Sequence, residues 1–350
     1  MISQENLVRA IRETNKGHRW RPGHRPNKTV RYMEAHMDEA AEELRDMILR
    51  GFQPTPLRAR ERWDKSAQKY RTIAEPALWP DQYIHHALVQ VLQPVIMRGM
   101  DYWCCGSVKG RGISRGKRGI ERWIREDPKG TRWCESDDIR KFYDTLDPEV
   151  VFGLLKRKVK DRRLLDFAWI IIRDGFVAGT YYAQWFANFA LQGLDRLIRA
   201  NPATRHYVRY MDNMTIFGRS KRGLHRLREA VSNWLTAHRL SLKGDWQIYP
   251  TDRRQPSAMG YRYSRKGTRL RKRNLLRLSR DLRDARRRWA QHRWVSPKRA
   301  AGLLSRLGQM RHCHNFRFYR ACVPVGMQRR LKNIIRKEQM KWNTSLALTP

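Results

Sequence analysis

The sequence predicts an α+β fold in which helices surround a central antiparallel sheet. Segments with helical periodicity occupy both ends of the chain, short apolar runs rich in β-formers lie between them, and acidic residues stand where those runs end. This order, helices first, then alternating strands and helices, then a basic helical tail, is typical of an α+β protein. Hydrophobic residues make up 41% of the 350 residues, which is enough for a sizeable core.

The charge balance indicates the partner. The chain carries 74 Lys and Arg against 33 Asp and Glu, a net charge of +41, and such a protein repels itself unless a polyanion neutralises it. Nucleic acid fits, because phosphate neutralisation releases counterions and drives binding. An anionic membrane is the competing partner, but no basic amphipathic segment stands apart and no apolar stretch reaches a membrane span. We therefore expect nucleic-acid binding, no membrane association and a cytoplasmic location.

The cysteines give no sign of a disulfide framework or a zinc site. They form no CxxC pair, and an odd, scattered set is typical of reduced thiols in an intracellular protein. The run His312-Cys313-His314 contains metal-binding residue types, but adjacent residues cannot all converge on one zinc ion. The five cysteines are Cys104, Cys105, Cys134, Cys313 and Cys322.

The N-terminal third predicts helices followed by an extended segment. The stretch MEAHMDEAAEELRDMILRG is strongly helical and ends at Gly51. The stretch KYRTIAEP is predicted as a strand that runs to Pro76, and DQYIHHALVQVLQPVI has the apolar spacing of an amphipathic helix.

A glycine-rich basic segment, CCGSVKGRGISRGKRGI at 104–120, is predicted as a loop. Glycine permits close approach and exposes backbone N–H groups, so Lys109, Arg111 and Arg115 are candidates to contact a nucleic-acid backbone. The spacing does not fit the phosphate-binding pattern GxxxxGK[ST], so nucleotide hydrolysis of that type is unsupported. A flexible solvated loop is the alternative.

The central region alternates strands and helices. RWCESDDIRKFYDTLDPEVVFGLLKRKV predicts a strand, a turn and a helix, with Asp147 as N-cap and Pro148 at the first helical position. One buried helix is expected over 180–200, and YVRYMDNMTIFG predicts a hairpin with Asp212 and Asn213 at its tip. A helix over 221–240 and two short strands follow.

From about residue 266 the chain becomes intensely basic and helical, which predicts a separate C-terminal module of roughly eighty residues. Arg286, Arg287 and Arg288 stand beside Trp289 and Trp294, a mixture of cations and aromatics that could follow a duplex backbone. A solvated basic helix is the alternative.

Carboxylates near strand ends are the candidate catalytic groups. Asp137, Asp138 and Asp144 surround the end of one strand, and Asp212 lies in the hairpin. Two carboxylates from adjacent strands could hold Mg²⁺, and two such ions could activate a 3′-hydroxyl and stabilise a leaving pyrophosphate. The alternative is an ordinary I′ turn at Asp212-Asn213, since both residues tolerate positive φ.

The combination of motifs favours catalysis. DIRKFYD (138–144), AGTYYAQWFAN (178–188) and YMDN (210–213) follow the order and spacing of a reverse transcriptase palm. From about residue 66 to 275 the chain resembles the bacterial reverse transcriptase family. KYRTI with DQYIHHAL resembles the fingers motifs, and LSLKGDWQIYP with MGYRYSRKGTRLRKR resembles the last palm strands and primer-grip region.

The resemblance implies a right-hand polymerase fold with an antiparallel palm sheet and a basic helical thumb. The implied domains are an N-terminal helical extension (1–65), fingers (66–136), palm (137–265) and thumb (266–350). It also implies two bound Mg²⁺ ions, with Mn²⁺ as an alternative, held by Asp138 and Asp212 with the Ile139 carbonyl. Asn213 stands at the third catalytic position. The implied partners are dNTPs, a template RNA and the RNA/cDNA duplex.

Further roles follow residue by residue from the same resemblance. Lys69 and Arg71 would reach the incoming triphosphate, where fixed cations stabilise transferring phosphates. Tyr143 would exclude a ribose 2′-hydroxyl, and Gly179 would let the backbone approach the nascent base pair. The other implied nucleotide-binding residues are Ala178, Gln184 and Lys243. The implied nucleic-acid-binding residues are Lys109, Arg111, Arg115, Arg271, Lys272, Arg273, Arg286, Arg287 and Arg288.

Two departures from the family pattern refine the expectation. Where most bacterial members carry QGxxxSP, this chain has Ala178-Gly179 followed by Ala183-Gln184, which is similar to enzymes of diversity-generating retroelements. Those enzymes copy a template RNA with errors at adenines and work with a small basic accessory protein. An antiphage-defence or retron-like reverse transcriptase, bacterial or phage-encoded, with its own structured noncoding RNA, is the alternative.

The second departure is Asn213, where the family has a second acid. An amide keeps the shape and one acceptor oxygen but loses the negative charge. It could be a tolerated natural variant, an inactivating substitution made for structural work, or the mark of a degenerate enzyme. The last case leaves a catalytically inactive RNA-binding scaffold.

Overall fold

Helices occupy both ends of the chain and strands its centre, which confirms the predicted α+β class. A computed structural model describes residues 1–18, 20–24, 27–64, 69–291 and 294–347. The helices are α1 (Gln4–His18), α2 (Lys28–Ala35), α3 (Met37–Leu49), α4 (Tyr83–Arg98, entered through a π-helical turn at Leu78–Gln82), α5 (Ile113–Glu126), α6 (Phe142–Thr145), α7 (Pro148–Lys156), α8 (Arg162–Ile172), α9 (Tyr181–Ala190), α10 (Gln192–Ala200), α11 (Lys221–Ala237), α12 (Lys272–Ala290), α13 (Pro297–Met310), α14 (Phe316–Cys322) and α15 (Met327–Ala347). The strands are β1 (Arg58–Asp64), β2 (Lys69–Glu75), β3 (Trp133–Asp138), β4 (His206–Tyr210), β5 (Asn213–Gly218), β6 (Gln247–Pro250), β7 (Ser257–Ala258), β8 (Tyr261–Ser264) and β9 (Gly267–Leu270).

The central sheet has the strand order β4-β5-β3-β6 and is antiparallel throughout. Because side chains alternate along a strand, the sheet has two different faces. We call one the helix face, because it packs on α9, α10 and α11; it carries Glu135, Asp137 and Arg209. We call the other the cleft face; it carries Asp138 and Asn213, which are direct cross-strand partners.

Two hydrophobic cores flank this sheet. The first joins the N-terminal helices α1, α3 and α4 to α7–α11 and the helix face. The second joins α5 and part of the cleft face to the small sheet β7-β8-β9 and to α12, α13 and α15. The predicted palm–thumb boundary between residues 265 and 266 falls in the turn between β8 and β9.

Several predicted elements are confirmed at their positions. The strand predicted at 69–76 is β2, which pairs with β1 in a hairpin. The predicted helix cap is also present: Asp147 Oδ1 accepts hydrogen bonds from the backbone N–H groups of Glu149 (2.8 Å) and Val150 (3.3 Å), with Pro148 at the first helical position. Within the described ranges, no helix is both long and apolar enough to cross a membrane. All five cysteines are free thiols.

The prediction of a loop over 104–120 is wrong for its second half, because α5 begins at Ile113. The glycines there serve close packing rather than flexibility. A Cβ added to Gly116 would lie 2.5 Å from Met259 Cε, and one added to Gly119 would lie 2.4 Å from the Trp103 ring. Glycine content alone therefore misled the prediction, since a packed helix face can require glycine as much as a loop does.

The single helix predicted over 180–200 is also wrong. The chain forms two helices, α9 and α10, which meet at Leu191, where the backbone leaves the helical region (φ −88°, ψ 4°). The only glycine nearby, Gly193, lies inside α10 rather than at the break, and the apolar and aromatic residues before it favour an uninterrupted helix.

Two histidines on α4, the buried His85 and the half-buried His86, predict a stability that falls in acid. Burial, above all, lowers the pKa of His85 to about 3 and that of His86 to about 4. The unfolded chain takes up protons near pH 6.5 while the folded chain does not, so stability is complete above pH 6.5 and falls as the pH drops below it. We expect a loss of about 2 kcal/mol per histidine at pH 5 relative to pH 7.

Thermal unfolding between pH 5 and 8 measures this loss. His86 stacks on Tyr181 with ring centroids 3.6 Å apart, so His86→Phe keeps a ring at that place and removes the titration. We expect this variant to show about half of the acid-induced decrease. The exposed His24 is the matched control, and His24→Gln should leave the pH dependence unchanged. An unaltered slope in His86→Phe would contradict the assignment.

Candidate active site

The hairpin between β4 and β5 turns one residue earlier than the sequence predicts. Tyr210 pairs with Asn213, so the turn consists of Met211 and Asp212, and Asn213 is already the first residue of β5. Of the two turn residues only Met211 has a positive φ, 56°. The predicted I′ turn with Asp212 and Asn213 at its tip is therefore wrong, because the register places the tip one position earlier.

This register brings Asp138 and Asp212 together. Asp138 ends β3 directly opposite Asn213, and the Ile139 backbone N–H donates to the Asp212 carbonyl at 3.3 Å. Burial raises the pKa of Asp138, the neighbouring Asp212 raises it further, and Lys243 opposes both effects. The two negative charges repel each other at the end of the sheet, and a cation bound to both carboxylates would remove this repulsion.

The donor set fits a divalent cation. Asp138 Oδ1 is buried without a hydrogen-bond partner, and Oδ2 lies 2.6 Å from the ammonium of Lys243. Oxygen ligands from one or two carboxylates are what Mg²⁺ takes when substrate phosphates and water complete its shell. In the part of the chain that the structure describes, no cluster of three or more His, Cys, Asp or Glu side chains could hold a metal.

Lys243 is positioned by the backbone as well as by its charge. Its N–H donates to the Asp138 carbonyl at 2.9 Å, and the preceding Leu242 forms an antiparallel bridge with Ile139. The Ile139 side chain is buried, so this short bridge fixes the backbone immediately after Asp138. The lysine is 40% exposed and therefore faces the cleft as well as the carboxylate.

Asn213 contacts the site through its amide. Its Nδ2 donates to Asp212 Oδ1 at 3.0 Å, and the side chain is exposed on the cleft face. The amide thus orients one oxygen of Asp212, where a second carboxylate would repel it.

Asp137 lies on the helix face, as strand alternation predicts, and supplies no ligand to the site. Its side chain is 1% exposed and lies 3.6 Å from Arg228 of α11. Beside it, Glu135 is fully buried, and burial together with Asp137 raises the pKa of Glu135 to about 10. Two acids and one arginine share this interior position, so Glu135 retains its proton at neutral pH.

Tyr143 lies next to the carboxylates. It sits on α6, which follows a left-handed residue, Lys141 (φ 44°). Burial raises the pKa of Tyr143, and the nearby Asp212 and Tyr210 raise it further, so the phenol lies near the turn between β4 and β5.

The other residues predicted to contact the nucleotide lie in the turn before α9, in α9 itself and on β2. Ala178 and Gly179 form a turn, and Gly179 adopts φ 117°, a conformation that favours glycine. Gln184 lies half-buried in the first turns of α9. Lys69 and Arg71 lie on β2, and their side chains fall outside the described residues.

Arg271 lies on the cleft face of the sheet, beside the turn. It lines a cavity of about 220 Å³ together with Tyr210 and Asn213. Its Nη2 donates to the Ser257 carbonyl at 2.8 Å, while the buried Nε has no partner. Lys272 and Arg273 follow, exposed, at the start of α12.

The remaining residues predicted to bind nucleic acid differ in how far they already interact with other protein groups. Arg287 and Arg288 each lie 3.2 Å from Asp284, so part of their charge is already neutralised. Arg115 stacks over Tyr102 at 4.5 Å. Arg111 donates to the Asp101 carbonyl. Lys109 and Arg286 are exposed.

Sequence reasoning missed the buried residues behind the turn. Arg209 is fully buried between two helices, and its partner Asp195 is 1% exposed. The available signal was an arginine inside the apolar run YVRYM, because a charge in a buried strand requires a partner.

Residues 63–245, more than half of the chain, match the family described as reverse transcriptase (RNA-dependent DNA polymerase). The chain is 22% identical over 199 residues to Protein YkfC of Escherichia coli strain K12, covering 56% of this chain and 51% of that protein. It therefore spans about half of this curated relative. Among solved structures it is similar to apo telomerase of Candida tropicalis truncated from its C-terminal domain (TM-score 0.48, 10% identity, 68% of this chain and 60% of that one). It is also similar to telomerase of Candida albicans in complex with a fragment of telomeric RNA (TM-score 0.49, 9% identity, 73% and 55%).

Proposed function

The chain belongs to the reverse transcriptase (RNA-dependent DNA polymerase) family, and we propose that it synthesises cDNA on a dedicated template RNA by two-metal nucleotidyl transfer. Its fold is that of a right-hand polymerase with an antiparallel palm sheet. One observation carries the proposal: Asp138 and Asp212 meet at the strand ends of that sheet, on its cleft face, with an unpartnered buried oxygen on Asp138. The net charge of +41 supports a nucleic-acid substrate.

Asp138, Asp212 and the Ile139 carbonyl would hold two Mg²⁺ ions, with Mn²⁺ as an alternative. Bound there, such ions lower the pKa of the attacking 3′-hydroxyl and neutralise charge on the transferring phosphate. The protein's own part is positioning. The β3–β5 register fixes the spacing of the carboxylates, and Asn213 orients one oxygen of Asp212 through its amide.

We assign the incoming dNTP to the space between β2, α6 and the start of α9. Lys69 and Arg71 would bind its phosphates, and Tyr143 would press against the sugar and exclude a 2′-hydroxyl. Gly179, whose backbone conformation suits a close approach, would lie against the nascent base pair with Ala178 and Gln184. Lys243 would exchange its contact with Asp138 Oδ2 for the triphosphate once a cation is bound, since the cation would neutralise the carboxylate with which the ammonium pairs.

The RNA/cDNA duplex would lie along the base of α12 and the cavity beside Asn213. Arg271 supports this assignment best, because its half-buried guanidinium has an unpaired Nε and faces that cavity. Other exposed or half-buried cations would contact phosphates further away. They are Lys109, Arg111, Arg115, Lys272, Arg273, Arg286, Arg287 and Arg288.

We further propose that the template RNA belongs to a diversity-generating retroelement, with a small basic accessory protein as partner and the bacterial cytoplasm as location. The support is Ala178 and Gln184, which replace the polar and proline positions of most bacterial members. Errors concentrated opposite template adenines are the expected signature. Errors spread evenly over the template bases would favour the defence or retron-like role, with a structured noncoding RNA.

Primer extension on an RNA template tests the enzymatic proposal. With dNTPs and Mg²⁺ or Mn²⁺ we expect stepwise incorporation that EDTA abolishes. Asn213 favours one competing function, an inactive RNA-binding scaffold. That function is indicated if neither this protein nor Asn213→Asp incorporates dNTPs with either metal while RNA binding, measured by fluorescence anisotropy, persists.

A further inference from the structure

The catalytic turn is held in a strained conformation by groups outside the cleft. Met211 is a non-glycine residue at φ 56°, and such conformations persist only where the surroundings over-determine them. Met211 is buried, and the Ile139 backbone N–H donates to the Asp212 carbonyl, so the backbone is also held on the far side of the turn. The Met211 carbonyl belongs to the peptide bond that joins Met211 to Asp212, so a side chain that holds this carbonyl also influences where Asp212 lies.

Arg209 makes the direct contact. Its Nη1 donates to the Met211 carbonyl at 3.0 Å, across the base of the turn. The guanidinium itself has no freedom to move, because Nε and Nη2 donate to the two oxygens of Asp195 at 2.7 Å and 2.6 Å. Tyr207 also donates to Asp195, at 2.6 Å. A planar fork held at one end by a carboxylate presents its remaining N–H groups in fixed directions.

Asn188 of α9 ties the same guanidinium to a second segment. Its Oδ1 accepts from Arg209 Nη1 at 2.9 Å, and its Nδ2 donates to the Gly106 carbonyl at 2.8 Å. Gly106 in turn lies against the turn: a Cβ there would be 2.5 Å from the Met211 nitrogen. The turn is thus enclosed by Arg209 from the helix face and by Gly106 from the side.

We propose that Arg209 is a positioning residue for nucleotidyl transfer: anchored by Asp195 and Asn188, it holds the Met211 carbonyl and so sets the placement of Asp212 relative to Asp138. Arg209 touches neither substrate nor metal and acts only through the turn. This inference rests on the proposed function. It goes beyond it by giving the buried pair on the helix face a role in activity rather than in stability alone.

A role of Arg209 in activity can be separated from a role in stability by the choice of substitutions. Arg209 and Asp195 together form a neutral, hydrogen-bonded unit, and such a unit can be exchanged for apolar residues of similar volume without loss of folding, whereas removal of one partner leaves a buried charge. The double variant Arg209→Met/Asp195→Leu therefore removes the contact to Met211 together with both buried charges, and leaves the Tyr207 hydroxyl without its Asp195 acceptor. Arg209→Lys keeps a charge for Asp195 but lacks the fork that reaches both the carboxylate and the Met211 carbonyl.

Two measurements test the proposal. Mn²⁺ binding to the protein without nucleic acid, followed by electron paramagnetic resonance, reports the placement of the carboxylates independently of activity. Steady-state dNTP incorporation gives kcat and KM. For the double variant and for Arg209→Lys we expect Mn²⁺ affinity to fall about tenfold and kcat to fall between ten- and a hundredfold, with KM for template–primer unchanged. The control is Tyr83→Phe, which removes a buried hydrogen bond to Asn15 far from the turn and should alter neither quantity.

The outcomes are distinguishable. Unchanged Mn²⁺ affinity and kcat in a folded double variant would overturn the proposal, as would an equal loss in Tyr83→Phe. If the parent protein incorporates no dNTP, the proposed function fails, while the Mn²⁺ affinities still decide whether Arg209 sets the carboxylate placement.

Discussion

Asp138→Asn is expected to abolish dNTP incorporation, with a loss on the order of 10³-fold or more in the single-turnover rate. Asp138 is one of two carboxylates at the proposed metal position, and its Oδ1 is buried without a protein partner. An amide keeps the shape but removes the charge on which cation binding depends. We expect RNA and duplex affinity to remain unchanged, because phosphate contacts come from the basic residues around the cleft.

Asp144→Asn is the matched control for this variant. It makes the same chemical change six positions along the chain, at an exposed residue, and should retain the parental rate. Rapid-quench incorporation of one nucleotide, with anisotropy titrations of the same template–primer, separates catalysis from binding. If Asp138→Asn keeps more than a tenth of the rate, Asp138 is not a metal ligand.

Asn213→Asp is expected to lower the Mg²⁺ concentration for half-maximal activity about tenfold. The new carboxylate would stand directly opposite Asp138 and next to Asp212. It would replace an amide that donates to Asp212 Oδ1 by a group that repels it. Without metal, three neighbouring acids should therefore lower the unfolding temperature by a few degrees, and saturating Mg²⁺ should restore it through linkage.

Asn213→Ala separates charge from the lost hydrogen bond. It removes the amide contact to Asp212 without adding an acid, so we expect the Mg²⁺ requirement to stay the same or rise. Equal Mg²⁺ requirements for Asn213→Asp and Asn213→Ala would contradict the electrostatic argument. Differential scanning fluorimetry in EDTA and in Mg²⁺ measures the unfolding temperatures of the variants.

Much of the fold could be predicted because it depends on local signals. The Asp147-Pro148 start of α7 and the alternation that separates Asp137 from Asp138 each follow from a few neighbouring residues. The meeting of Asp138 and Asp212 required a longer inference. It rests on the order of several motifs, since neither strand end alone distinguishes a metal site from an ordinary turn.

What the sequence could not provide depends on contacts between distant segments. The close packing of Gly116 on Met259 has no local sign, so the glycines suggested a loop. The ion pair of Lys243 with Asp138 joins residues more than a hundred positions apart. The predicted position of the turn was wrong by one residue because Met211 adopts a left-handed conformation that only its buried surroundings enforce.

The two faces of the central sheet also bear on how this protein can change over generations. Position 213 is on the cleft face and exposed, whereas the next residue, Met214, is buried against the first core. Asparagine and aspartate codons differ by one base, so a single substitution can add or remove an acid next to Asp212 without changing a side chain of the packed interior. The charge beside Asp138 and Asp212 and the packing of the first core can therefore change independently of each other.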